Sequence, residues 1–210
     1  MTAKHIGIIG CSAEGAALCY RTLCHSGDHP QVSMHTHSLA EYMRCIDRDD
    51  WRGVGALMLS SAEKLKAAGA EFLICPDNTI HYALRFVEMP LPFLHIAQVV
   101  LAEAKDRKLG LLGTRYLVGS DVYPEHCVRP NTEERMEINR IIFEELVYGD
   151  FQPASTQYLQ NVIERMKAQG CDAVILGCTE LPLVLNDANS PLPVLDSTRL
   201  LARAALQKAT

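Results

Sequence analysis

Two short polar stretches, Pro76-Asp77-Asn78-Thr79 and Gly177-Cys178-Thr179-Glu180, each follow an uninterrupted apolar run. The runs are Phe72-Leu73-Ile74-Cys75 and Ala173-Val174-Ile175-Leu176. Four apolar residues in a row, with no polar alternation, suit a strand covered on both faces, the kind found in parallel sheets. A polar end to such a strand delivers side chains to the carboxyl edge of the sheet, where parallel sheets bind ligands.

The rest of the chain reads as two similar halves. Ile6-Gly7-Ile8-Ile9-Gly10 forms a first buried strand, followed by Cys11-Ser12 and a helix-prone stretch from Ala16 to Leu23. A second strand is expected over 31–36 and a helix over 54–68, which Gly69 ends. After Asp77 a helix carrying Ile80, Leu84 and Val87 is expected, then a short strand between Pro90 and His95. Leu109-Gly110-Leu111-Leu112-Gly113 repeats the shape of the first strand, with Thr114-Arg115 where Cys11-Ser12 stood. A weak strand near Cys127, a helix with Ile138, Ile141, Ile142 and Leu146, and a helix over 155–168 lead to the strand before Cys178. Gly10 precedes Asp77 by 67 residues and Gly113 precedes Cys178 by 65. Alternating strands and helices imply parallel α/β sheets, and the near-equal spacing implies two related domains whose ligand edges share one cleft. The first is expected over 1–97 with 195–210, and the second over 98–194.

Composition removes several function classes. A net charge of −5 and the absence of any long Lys/Arg run argue against nucleic acid as a partner. No apolar stretch reaches the ~18–20 residues of a membrane helix, and the start of the chain leaves no room for a signal peptide. The cytosol is the expected compartment. No two of the eight cysteines stand two residues apart, so neither a zinc knuckle nor a thioredoxin-like motif is present, and most are expected in the core.

The polar motifs are each open to a plainer reading. Gly10 to Gly15 is neither a dinucleotide fingerprint nor a phosphate loop, because no Gly-x-Gly-x-x-Gly and no following Lys-Ser/Thr occur. His35 and His37 lie on one strand face but lack an evident third metal ligand, so paired surface histidines are the simpler account and no metal is expected. Asp77 can serve as a helix cap. Cys178 can be a buried thiol, or a reactive one at a helix N-terminus, where the dipole lowers a thiol pKa.

Taken together these stretches resemble the aspartate/glutamate racemase family, the cofactor-independent enzymes that include hydantoin racemases and maleate isomerase relatives. The resemblance is carried by Ile8-Ile9-Gly10 with Ser12, Leu65 to Ala70, Asn78-Thr79-x-His81, Leu94-His95-Ile96, Leu111 to Tyr116, Ile141 to Leu146 and Gly177-Cys178-Thr179-Glu180. It runs nearly end to end and is closest to the branch acting on L-aspartate and L-glutamate. It implies two pseudo-symmetric, flavodoxin-like parallel-sheet domains with the active site in the cleft between them, and a homodimer. The implied substrate is a small amino acid or dicarboxylate, and the implied cofactor is none. The implied acid/base pair is Asp77 and Cys178, one on each face of the substrate α-carbon. Asn78, Thr79, Thr179 and Glu180 would bind substrate, with Ser12 and Thr114 lining the cleft. Arg48 is the implied distal-carboxylate ligand, with Arg44 and Arg52 as near competitors.

The sequence also departs from that family. Asp77 stands where a cysteine is usual, and Cys75 is offset by two residues. Tyr148 and Leu201 replace a lysine and a histidine, and the segments at Ser26–Pro30 and Pro124–Arg129 are short. A carboxylate is a weaker base than a thiolate by roughly 4–5 pKa units, or about 6 kcal/mol if nothing compensates. The departure therefore implies an asymmetric enzyme, with Cys178 the base and Asp77 the acid. Two rivals stay open: a one-cysteine decarboxylase or isomerase acting on a dicarboxylate, and a degenerate dicarboxylate-binding protein.

Overall fold

A computed structural model of the chain describes residues 3–25 and 29–210; of the short segment at Ser26–Pro30, Ser26 to Asp28 lie outside them. The elements run β1 (Ile6–Gly10), α1 (Ala13–Cys24), β2 (Val32–Thr36), α2 (Leu39–Ile46), α3 (Trp51–Ala67) and β3 (Phe72–Ile74). A 3-10 helix (Thr79–Phe86), β4 (Phe93–Leu94), α4 (Ile96–Ala104), β5 (Leu109–Leu112), α5 (Arg115–Val118) and α6 (Thr132–Arg140) follow. A π-helical turn (Ile141–Glu145), a 3-10 turn (Leu146–Tyr148), α7 (Pro153–Ala168), β6 (Ala173–Leu176), a 3-10 turn (Leu181–Leu183), β7 (Val194–Asp196) and α8 (Ser197–Ala209) complete the chain.

The chain divides into two compact units, residues 1–99 with 198–210 and residues 100–197. In the first, four parallel strands run in the order β2-β1-β3-β4, with Ile8 level with Met34 on one side and Ile74 on the other. Every residue of β1 and β3 is buried. Strands this short are held by coverage of both faces, since each fully buried Ile, Leu or Phe contributes about 1.5–3 kcal/mol. One core joins Ile6, Ile8, Phe72 and Ile74 to Cys19 and Leu23 of α1 and to Leu201, Ala202 and Ala205 of α8. The chain end is tied in by the Lys4 N–H, which donates to the Ala209 carbonyl at 2.9 Å.

The second unit repeats the pattern with a parallel β5-β6-β7 sheet. The weak strand expected near Cys127 is reduced to one parallel bridge, Gly110 with Val128, on the far side of β5 from β6. The order (128)-β5-β6-β7 thus matches β2-β1-β3-β4. A core of Ile138, Ile141, Ile142, Leu146, Leu159, Ile163, Val174 and Leu176 joins the helices to this sheet.

Several elements differ from expectation. Helix α2 was not expected; a Ser38–Glu41 capping box starts it. The segment after Asp77 is a 3-10 helix that buries Ile80, His81 and Ala83, and Leu84 and Val87 are only partly buried. The single helix expected from Ile138 to Leu146 is broken: α6 ends at Arg140, a π turn follows, and Gly149 closes the segment at φ 73°. The wider π turn keeps Ile141, Ile142 and Leu146 in the core while Tyr148 is 80% exposed. All eight cysteines are free thiols.

Candidate active site

In the first unit the carboxyl edge is formed by the segments leaving β1 and β3. Ser12 caps α1, its hydroxyl accepting from the Gly15 N–H at 3.1 Å. Asp77 also acts as a cap: its Oδ1 accepts from the Ile80 N–H at 3.2 Å. Asn78 is buried and Thr79 partly so. The turn is held from beneath by His81, whose Nε2–H donates to the Cys75 carbonyl at 3.0 Å. Burial, then the neighbouring His95, depresses the His81 pKa to about 3, so this ring is neutral at physiological pH. Cys75 lies under the same turn, fully buried, its thiol 3.9 Å from the Asp77 carbonyl. Burial, and then the Asp77 charge, pushes the Cys75 pKa up, which removes it as a competing base. Tyr42 is buried in the same region; burial first, then Cys75, Cys11 and Asp77, drives its phenol pKa upward. Its place beside the Asp77 turn was not evident from sequence, because α2 itself was not.

The arginines lie on successive elements. Arg44 is in the last turn of α2, Arg48 on the exposed turn before α3, and Arg52 in the first turn of α3 with its guanidinium 5.1 Å from the Phe86 ring centre. His35 is engaged by Ser61 at 2.9 Å and Lys64 at 3.0 Å. No group of three potential metal ligands occurs among the described residues.

The second unit presents the equivalent edge. Thr114 caps α5, accepting from the Leu117 N–H at 3.2 Å, as Ser12 does for α1. Gly177 lets β6 pass β5 closely: a Cβ there would meet Leu117 Cδ2 at 2.5 Å and the Leu112 carbonyl at 2.9 Å. Cys178, partly exposed, follows, with buried Thr179 and Glu180. The expectation of a helix N-terminus at Cys178 is corrected here. The next helical residues are only the three of a 3-10 turn, Leu181–Leu183. The thiol instead donates to Glu180 Oε2 at 2.8 Å, and the Thr179 hydroxyl donates to the same oxygen at 2.8 Å. Glu180 is 5% exposed. Spacing along the sequence gave no sign of this carboxylate–thiol contact, which depends on the tight turn.

Leu201 is fully buried in the first unit's core. Among the described residues no helix is long and apolar enough to cross a membrane.

The chain is similar along nearly its whole length to several known proteins. A broad specificity amino-acid racemase, RacX of Bacillus subtilis (strain 168), is 26% identical over 189 residues, 85% of this chain and 82% of its own. The crystal structure of a candidate Asp/Glu racemase from Yersinia pestis superposes with TM-score 0.88 at 32% identity, covering 98% of this chain and 99% of that one. An aspartate racemase homologue from Pyrococcus horikoshii OT3 gives TM-score 0.82 at 30% identity, covering 98% and 99%. The Asp/Glu/Hydantoin racemase family model matches residues 6–205, and the chain belongs to that family.

Proposed function

We propose that the protein is a cofactor-independent racemase of an acidic amino acid, aspartate or glutamate, which removes and returns the α-proton. The observation that carries this reading is the equivalence of Asp77 and Cys178. Each follows the strand that pairs in parallel with the first strand of its own unit, β3 beside β1 and β6 beside β5, in a chain of this family. The two residues act on opposite faces of one α-carbon. Ser12, Asn78, Thr79, Thr114 and Thr179 line the substrate, and Arg48 or Arg44 takes the distal carboxylate. The enzyme works as a homodimer in the cytosol and needs neither pyridoxal phosphate nor metal.

Asp77 makes the reaction asymmetric, with Cys178 the base and Asp77 the acid that delivers a proton to the other face. The two enantiomers have equal free energy, so kcat/KM is the same in both directions; asymmetry is read in exchange without inversion, from one enantiomer only. Proton NMR in D2O of L- and D-aspartate and glutamate tests the reading. Loss of the α-proton signal with appearance of the other enantiomer, abolished by Cys178→Ala and by Asp77→Asn, is expected. Retention of every α-proton sinks it. The engagement of Asp77 as a backbone cap favours one rival, a one-cysteine decarboxylase, which release of carbon dioxide from a substituted malonate would reveal.

A further inference from the structure

The Tyr42 side chain, on α2, is fully buried, and its hydroxyl makes no hydrogen bond within the chain. It stands at the carboxyl edge of the first sheet, facing Cys11, which follows β1, and Cys75 and Asp77, which follow β3. A polar group buried without a partner costs stability, and its retention calls for a reason. Burial first, then the neighbouring Cys75, raises the pKa of this phenol, so it keeps its proton and remains a donor.

A polar chain leads from the surface to this phenol. Lys64 Nζ lies 3.0 Å from His35 Nε2, and His35 Nδ1 lies 2.9 Å from the Ser61 hydroxyl. An ammonium has donors and no acceptor, so Lys64 donates and Nε2 accepts. The ring proton is then on Nδ1, which donates to Ser61. Burial first, then Lys64 and His37, lower the His35 pKa, in keeping with a neutral ring. Ser61 is fully buried, and with His35 donating to its oxygen its own O–H points onward. It lies near enough to oppose the rise in the Tyr42 pKa, though outside hydrogen-bond geometry. A donor on that side of the phenol oxygen turns the phenol O–H away from Ser61, toward the Asp77 turn.

We propose that Tyr42 is a positioning residue for Asp77: Lys64, His35 and Ser61 aim its O–H at the Asp77 turn, where it donates to the carboxylate formed as Asp77 gives its proton to the substrate. This role rests on Asp77 being the acid of the racemase reading. The Asp77 O–H bond breaks and the substrate Cα–H bond forms, while Tyr42 keeps its own proton throughout. The hydrogen bond is lacking in the resting protein and forms as the carboxylate develops. An interaction made only then lowers the barrier rather than KM.

The test is Tyr42→Phe, which removes the hydroxyl and keeps the ring. In urea without substrate, followed by Trp51 fluorescence, its midpoint is expected to equal or exceed that of wild type, because an unpaired buried hydroxyl is lost. With aspartate or glutamate, kcat for inversion is expected to fall about 10–100-fold, the worth of one hydrogen bond to a charged group, with KM changed no more than about twofold. Nitrogen NMR of the imidazole rings, assigned with His35→Gln, is expected to place the His35 proton on Nδ1. A hydroxyl with a merely structural role gives the reverse pattern, a lowered midpoint and an unchanged kcat. Either of those results, or a His35 proton on Nε2, overturns the proposal. If the wild-type protein exchanges no α-proton, the racemase reading fails, and the midpoint and the ring tautomer decide by themselves. A lowered midpoint or an Nε2 proton then overturns the aimed, unpartnered phenol as well, and the expected pair leaves it standing.

Discussion

His81 makes a quantitative prediction that is independent of catalysis. It is fully buried under the Asp77 turn, its ring 4.5 Å from that of His95 and 5.4 Å from that of Phe93, and its pKa is depressed to about 3 from 6.5. The unfolded chain binds a proton at this position below pH 6.5 and the folded chain does not until near pH 3. The stability this difference confers is therefore complete above pH 6.5 and is lost as pH falls toward 3. At pH 5 the folded site is still neutral, so the loss depends only on the unfolded value: 1.5 units at 1.36 kcal/mol each, about 2 kcal/mol relative to pH 7.5. His95 and His35 have depressed values from burial and add slope of the same sign, present with or without His81. The difference between wild type and His81→Gln isolates His81, since the Gln amide can still donate to the Cys75 carbonyl. The chain's single tryptophan, Trp51, lies in the same unit, packed 4.7 Å from the Tyr82 ring. Urea unfolding followed by its fluorescence thus reports the right unit. His81→Gln should start less stable at pH 7.5 and lose about 2 kcal/mol less than wild type by pH 5. Parallel losses in the two proteins would show that the ring is protonated in the folded state and refute the reasoning.

Other perturbations separate structure from chemistry. Asp77→Asn keeps a capping oxygen and should cost a few tenths of a kcal/mol, whereas Asp77→Ala loses the bond to Ile80 N and should cost about 1 kcal/mol in urea; on the proposed function both abolish inversion. Gly177→Ala drives a methyl into Leu117 and the Leu112 carbonyl, and a loss of about 1–3 kcal/mol is expected by thermal unfolding, with altered Cys178 alkylation. Arg129 donates to the carbonyls of Val118, Ser120, Tyr123, Pro124, Glu125 and Cys127, and so ties down the shortened Pro124–Arg129 segment. Arg129→Lys has no planar fork to reach them, and should cost about 2 kcal/mol and open that loop to proteolysis. Glu134 both caps α6 through Asn131 N and pairs with Arg165, so Glu134→Gln, which spares the cap, should cost less than Glu134→Ala by about 0.5–1 kcal/mol.

The apolar runs at 6–10, 72–75, 109–112 and 173–176 were sufficient to predict buried parallel strands, because burial on both faces leaves an uninterrupted hydrophobic signature. Their polar ends located Asp77 and Cys178 at sheet edges for the same reason. Local sequence also offered Asp77 as a cap, and it bonds a backbone N–H three residues on, an interaction that needs no distant partner; Ser12 and Thr114 cap in the same way, which was not read from the sequence. Tertiary structure decided the rest. A spacing of Ile138, Ile141, Ile142 and Leu146 serves an α-helix and a π turn equally well, and only the demands of packing on the β5-β6-β7 sheet select between them. The sequence Gly-Cys-Thr-Glu is compatible with a helix start that would activate the thiol by its dipole. The chain bends there instead, and the thiol meets the buried Glu180 carboxylate rather than a helix dipole. Backbone direction over three residues thus changes which charge the thiol meets, and residue types alone do not fix that direction.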